Sequence, residues 1–224
     1  MRNRKSELKL PMRVWDAPMR LFHWAIVVLI VTSFIAIKMD HTKLHLLSGY
    51  AVLTLVLFRV VWGIIGSETA RFSHFLRSPM AALRYLLRFR DRAPDTAIGH
   101  NAAGGWMTLV MLLDMLVQVG TGLCANDDGD MAGPLAKYVG KARSDFLSAV
   151  HGWNFYVLLG LIVLHVLAVT AYAAIKRHDL VRPMVTGKKR LPATARAPRM
   201  ASPLLALLVL VVIAAGVWVL ATRV

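Results

Sequence analysis

In the stretch "LSAVHGWNFYVLLGLIVLHVLAVTAYAAIKR", residues 147 to 177, two histidines interrupt an otherwise apolar run, His151 and His165. Comparable runs elsewhere carry few other ionisable residues: His23, His45, Arg59 and Asp114. Such side chains are costly at bilayer depth unless paired or liganded, so each is a functional candidate by default. An imidazole there offers proton carriage or metal ligation. The fourteen residues from His151 to His165 advance a helix by ~21 Å and ~3.9 turns, so both rings leave nearly the same face at two depths.

The elements that must position these rings are long and apolar. The chain has 224 residues, is 57% hydrophobic and only 17% charged, and its mean hydropathy is +0.57. That exceeds what one water-soluble core needs. Runs long enough to cross a ~30 Å hydrocarbon layer fall near 21–37, 46–66, 106–125, 147–175 and 203–221. Lipid-exposed backbone must satisfy its own hydrogen bonds, so all five read as helices. The first follows the basic segment "MRNRKSELKLPMR", which is read as the flank of a retained helix rather than a cleaved leader.

Charge sets the expected orientation. Of 27 lysines and arginines, six precede the first run, six lie in 71–92 and eight in 176–199, while the opposite side carries acids at Asp40, Asp127, Asp128, Asp130 and Asp145. The positive-inside rule then predicts a cytoplasmic N-terminus and an outer C-terminus. The net charge of +15 is accounted for by topology and anionic lipid, not by nucleic acid, since no basic stretch interleaves with stacking aromatics. A single cysteine, Cys124, excludes an intramolecular disulfide, a four-thiolate cluster from this chain and covalent haem attachment through C-x-x-C-H.

With antiparallel neighbours, depth selects partners among the four histidines. His45 opens the second run and His151 the fourth on the outer side; His23 and His165 lie toward the inner side. Two imidazole pairs from facing helices, stacked across a four-helix bundle, match what two b-type haems require. Zinc fits less well, because it prefers four ligands converging on one point. Gly49, Gly120, Gly122, Gly152 and Gly160 would admit a flat ring close to backbone, although each alone reads equally as a helix-packing residue.

The ordered set "VWDAPMRLFHW" (14–24), "HLLSGYAVLTLVLFRVVWG" (45–63), "ARFSHFLRSP" (70–79), "GHNAAGGWM" (99–107), "GPLA" (133–136) and the His151/His165 helix resembles the bacterial cytochrome b561 and nickel-hydrogenase cytochrome b family over about residues 14–190. The resemblance implies an all-α integral membrane protein of the bacterial inner membrane. It implies His23, His45, His151 and His165 as iron ligands of two non-covalent haem b groups. It implies an electron carrier rather than an enzyme, working in a respiratory chain between the quinone pool and a redox partner such as a cytochrome c or a hydrogenase-like subunit. Where the family usually has proline after "GHN", this chain has Ala102.

Further expectations attach to neighbouring residues. Arg59 follows His45 by fourteen positions and suits a haem propionate, or else snorkels to the interface. His100 suits a propionate or a quinone carbonyl, or is a solvated loop histidine. Asp114 is read as structural rather than proton-relaying, with Gln118 one turn further on. The stretch 67–92 is expected as an amphipathic helix on the inner surface. The division expected is a dihaem domain over 1–185, a basic linker over 186–202 and a histidine-free fifth helix over 203–224 that anchors or contacts a partner. A homodimer is left open. The rival readings are a quinol-oxidising enzyme with a small acceptor, and a haem-free transporter or assembly anchor.

Overall fold

The computed structural model describes residues 8–91, 97–129 and 131–223; the start of the basic N-terminal segment, Arg92 and Asp130 lie outside them. The elements in chain order are β1 (Lys9–Arg13), α1 (Ala17–Lys38), α2 (Thr42–Ile65), a 3-10 turn (Glu68–Ala70), α3 (Phe72–Phe75), α4 (Pro79–Leu87), α5 (Ala102–Cys124), α6 (Ala136–Val139), α7 (Lys141–Ala171), a π-helical turn (Tyr172–Lys176), α8 (Val181–Thr186), β2 (Lys188–Pro192) and α9 (Pro203–Arg223). Among the described residues, five helices are long and apolar enough to span: α1, α2, α5, α7 with its π turn, and α9. Each overlaps one of the runs read from sequence.

Local chemistry fixes the helix ends. Asp16 caps α1 by accepting the Met19 N–H on Oδ1 at 2.7 Å, with Pro18 in the first turn. At the other end Asp40 takes a positive φ of 55°, and the His41 N–H reaches back to the Ala36 carbonyl at 2.8 Å. This six-to-one bond closes the helix and lets the chain turn within four residues into α2. Asn101 caps α5, accepting the Gly104 N–H at 2.8 Å, so the asparagine of "GHNAAGGWM" has a structural task.

By contact density the chain forms two compact units. The first comprises Met1–Leu21, Val61–Leu109 and Val163–Ala206. Its β1 and β2 pair antiparallel, Leu10 opposite Leu191. Val14, Trp15 and Leu191 form a small core against which Met12, Ile98, Met184 and Ala195 pack. The Gly187 carbonyl accepts the Val14 N–H at 2.8 Å, and Asp16 Oδ2 accepts the Trp62 indole N–H at 3.0 Å.

Two expectations for this unit change. The segment 186–202, expected as a linker, contains β2 and is held further along its length. Glu68 accepts the Arg199 N–H at 2.9 Å on Oε2 while its own N–H donates to the Arg199 carbonyl at 2.9 Å, and Ser67 Oγ accepts the Ala201 N–H at 2.9 Å. The single amphipathic helix expected over 67–92 is instead broken into short pieces. A proline disfavours helical backbone in the residue before it; Ser78 is accordingly extended, with ψ 148°, and caps α4 through the Ala81 N–H. On α4 Met80, Leu83, Leu86 and Leu87 are exposed, whereas Tyr85 stacks on Tyr172. Lys176 donates to the Asp91 carbonyl at 3.1 Å and lies over the Tyr85 and Phe89 rings.

The second unit comprises Phe22–Val60, Val110–Ile162 and Leu207–Val224. The loop between α5 and α7 is tied to α7: Ser144 Oγ donates to the Cys124 carbonyl at 2.8 Å and Ser148 Oγ accepts the Asn126 N–H at 2.9 Å. Phe34 of α1 stacks on Phe155 of α7 with centroids 5.0 Å apart.

The Glu68 clasp yields a test. The Arg199 N–H bond, followed by the charge of Arg196 and other nearby cations, holds the Glu68 carboxyl below its ordinary range. A depressed folded pKa means the stabilisation is present above the unfolded value and is lost as pH falls through the folded one. Replacing Glu68 with Ala should raise amide exchange at Arg199 and Ala201 several-fold at neutral pH, read by hydrogen–deuterium exchange. The parent should lose the same protection only under acid conditions. Unchanged protection in the variant would mean that β2 alone holds this segment.

Candidate functional site

Four helices of the second unit surround one cavity of about 550 Å3, within the ~300–1,000 Å3 usual for small-molecule and cofactor sites. Its walls are mainly apolar: Ile30 and Phe34 from α1, Val52 and Leu53 from α2, Met115 and Val119 from α5, Phe155 and Leu158 from α7. His45 and His151 line the same space. Their ring centroids are 6.2 Å apart and their planes perpendicular. The outer pair expected from sequence is thus brought together.

Each ring is held by the neighbouring helix. His45 Nδ1 lies 3.0 Å from the Ser33 carbonyl and 3.0 Å from the Ser33 hydroxyl. His151 Nδ1 lies 2.9 Å from the Gln118 carbonyl, with the Thr121 hydroxyl at 3.4 Å. In both, Nδ1–H donates to a main-chain oxygen, which leaves Nε2 with the lone pair that a metal takes. Tying the far nitrogen of a histidine to a carbonyl is the common way to fix tautomer and ring orientation for ligation.

Gly122 explains one close approach. A Cβ built there would fall 2.9 Å from His151 Cε1, so only glycine lets α5 pass the imidazole. Gly49 and Gly152 also line the cavity, with open space where a side chain would stand. Among the described residues no three His, Cys, Asp or Glu side chains gather as a metal cluster. Two imidazoles, those of His45 and His151, line this cavity.

The other sequence-derived candidates lie as follows. His23, half-buried on α1, packs edge-on against Trp24 at 4.9 Å and belongs to the second unit, while half-buried His165 belongs to the first. Their pairing therefore rests on helix spacing. Arg59 is 1% exposed on α2, and Asp114 is also buried; both belong to the second unit. His100 belongs to the first, with its ring 4.8 Å from both Trp15 and Phe75 and Nε2 3.0 Å from the Thr108 hydroxyl. It is a half-buried histidine just before α5, packed between these two rings.

Three polar residues that sequence spacing did not assign complete the site. Ser33 holds His45, Gln118 holds His151, and Asn154 holds Gln118, donating to its Oε1 at 2.8 Å and to the Asp114 carbonyl at 3.2 Å. The available signal was polarity out of place: Asn154 is an amide one turn beyond His151 in an apolar helix, and Ser33 interrupts the end of the first run.

The chain is 25% identical, over an alignment of 212 residues covering 78% of it and 85% of the relative, to the probable Ni/Fe-hydrogenase B-type cytochrome subunit of Cupriavidus necator. No solved structure matches. The family described as prokaryotic cytochrome b561 matches residues 14–187, most of the helical part of the chain. With two imidazoles facing across an apolar cavity between helices long enough to span a membrane, the chain belongs to the prokaryotic cytochrome b561 family, a family of multi-pass membrane b-type cytochromes.

Proposed function

We propose that this chain is a dihaem b cytochrome that carries electrons between the quinone pool and a redox partner protein, with His45 and His151 ligating an outer haem and His23 and His165 an inner one. The observation that carries it is the facing His45–His151 pair, 6.2 Å between centroids. The residues fit the group: two Nε2 lone pairs, an apolar cavity of cofactor size, and a glycine where a Cβ would strike the ligand ring. When bound, haem b supplies a one-electron iron couple.

The chain's own residues do the rest. The Ser33 and Gln118 carbonyls accept the Nδ1–H groups, which makes each Nε2 a better donor and keeps its ring from rotating. The apolar walls exclude water, so a change of charge in the cavity is felt strongly and its energy is set by the protein. Arg59, buried within α2, offers a guanidinium to a propionate on the inner side, and its planar fork suits a carboxylate. His100, at the entrance to α5, is the corresponding contact for a propionate or a quinone carbonyl.

A hydrogenase-like protein is the redox partner favoured by the likeness to the hydrogenase cytochrome subunit of Cupriavidus necator. Residues 1–185 form the haem-binding part, 186–202 its connection, and α9 the anchor or partner contact, with Leu204, Leu207, Leu208, Val211, Val212 and Trp218 exposed along it. The N-terminus is cytoplasmic and the C-terminus periplasmic, because twenty of the 27 basic residues lie in the N-terminal segment and the two inner loops.

Pyridine haemochrome assay against protein concentration should give two haems per chain; a fully loaded sample with one would reduce the site to the His45–His151 pair. Replacing His45 or His151 with Ala should disturb the same haem, and replacing His23 or His165 the other, as judged by redox titration and electron paramagnetic resonance. If His23→Ala matched His151→Ala, the depth assignment would be wrong. Labelling of single cysteines at positions 40 and 188, in a Cys124→Ser background, should report outside and inside; the reverse pattern exchanges the sides of both haems.

A further inference from the structure

Gln118 touches His151 three times. Its carbonyl accepts Nδ1–H at 2.9 Å, its side-chain Nε2 lies 3.3 Å from the ring Nε2, and the same amide donates to the His151 carbonyl at 3.1 Å. One residue therefore addresses both ring nitrogens with opposite demands, an acceptor for one and a donor for the other. Only the tautomer with hydrogen on Nδ1 and a lone pair on Nε2 satisfies both.

The Gln118 amide is itself oriented. Asn154, one turn beyond His151 on α7, donates to Gln118 Oε1 at 2.8 Å, which forces the amide NH2 toward His151. The same Asn154 NH2 donates to the Asp114 carbonyl, one turn earlier on α5, at 3.2 Å. Two amides thus cross-link α5 and α7 in an otherwise apolar seam. Few alternative partners exist there, because neither lipid nor the neighbouring leucines and valines can replace a lost bond.

We propose that Gln118 and Asn154 act as one positioning unit that fixes the tautomer and rotation of His151, and thereby the reduction potential of the outer haem. Were Nε2 to ligate iron, the amide would still have the His151 carbonyl as its acceptor, and the main-chain contact at Nδ1 would remain. His45 is held differently, by the carbonyl and hydroxyl of the single residue Ser33, so the two axial ligands are unequally tethered. The inference rests on the haem reading above.

The test uses the full chain, purified with its haem. Gln118→Met and Asn154→Leu keep approximate size and suit an apolar seam, so packing is little changed. Each should move the midpoint potential and the low-spin paramagnetic resonance signal of one haem and leave the other unmoved, with haem content preserved. Because the two side chains act in series, the double variant should shift that haem by no more than the larger single variant. Gln118→Glu keeps an acceptor for Asn154 but loses the amide donor to the His151 carbonyl, so it should shift the same haem as Gln118→Met does. Additive shifts, shifts shared by both haems, or potentials and signals identical to the parent would overturn the positioning role. Absence of haem from the parent protein is a separate outcome: it would sink the haem reading itself.

Discussion

An imidazole within a lipid-facing bundle has one N–H and one lone pair, and hydrocarbon satisfies neither. That constraint organises the second unit. His45 and His151 each pass their Nδ1–H to a main-chain oxygen of an adjacent helix, Ser33 on α1 and Gln118 on α5. Such bonds require α1 to lie against α2 and α5 against α7, with the carbonyls at the right depth. The tight closure at Asp40 brings α1 and α2 into neighbouring positions, and the Ser144 and Ser148 contacts hold the start of α7 to the end of α5. Imidazole geometry and helix pairing are therefore one problem. Moving either histidine by one position would rotate it by ~100° about its helix and break both.

The first unit answers a different constraint. Its chain leaves the apolar helices repeatedly, and each exit exposes main-chain groups that need partners. The partners are found across great sequence distances: Gly187 serves Val14, Glu68 serves Arg199, and Asp16 serves Trp62. The basic side chains concentrated here cannot gather without partial compensation, and the Glu68 carboxylate beside Arg196 supplies some. Exposed pairs of this kind contribute little alone. The main-chain bonds and the Val14–Trp15–Leu191 core give the unit most of its definition.

The contrast explains what the sequence made legible. Spanning helices announce themselves through length and apolarity, so α1, α2, α5, α7 and α9 were readable, and the depth argument singled out His45 and His151, which line one cavity. The two strands were not. "KLPMR" and "KKRLP" each contain proline and lysine, both poor strand formers, and their pairing joins residues about 180 positions apart. In a two-stranded ribbon both strands are edges, where proline is tolerated, so the usual warning against a strand did not apply. The break in the surface segment was legible in principle, since Ser78–Pro79 is a helix start rather than a helix interior.

Ser33, Gln118 and Asn154 mark the limit more sharply. A serine near the end of an apolar run and an amide one turn beyond a histidine are ordinary in membrane helices, and no spacing rule connects residue 33 to residue 45 or residue 118 to residue 154. Their meaning comes from which carbonyl meets which ring, a relation fixed by packing rather than by pattern. The histidine itself is the easier half to read, because an imidazole in lipid has few uses. The residues that aim it are harder: any donor or acceptor at the right depth would serve, so the chemistry constrains their position in space far more tightly than their type or their place in the chain.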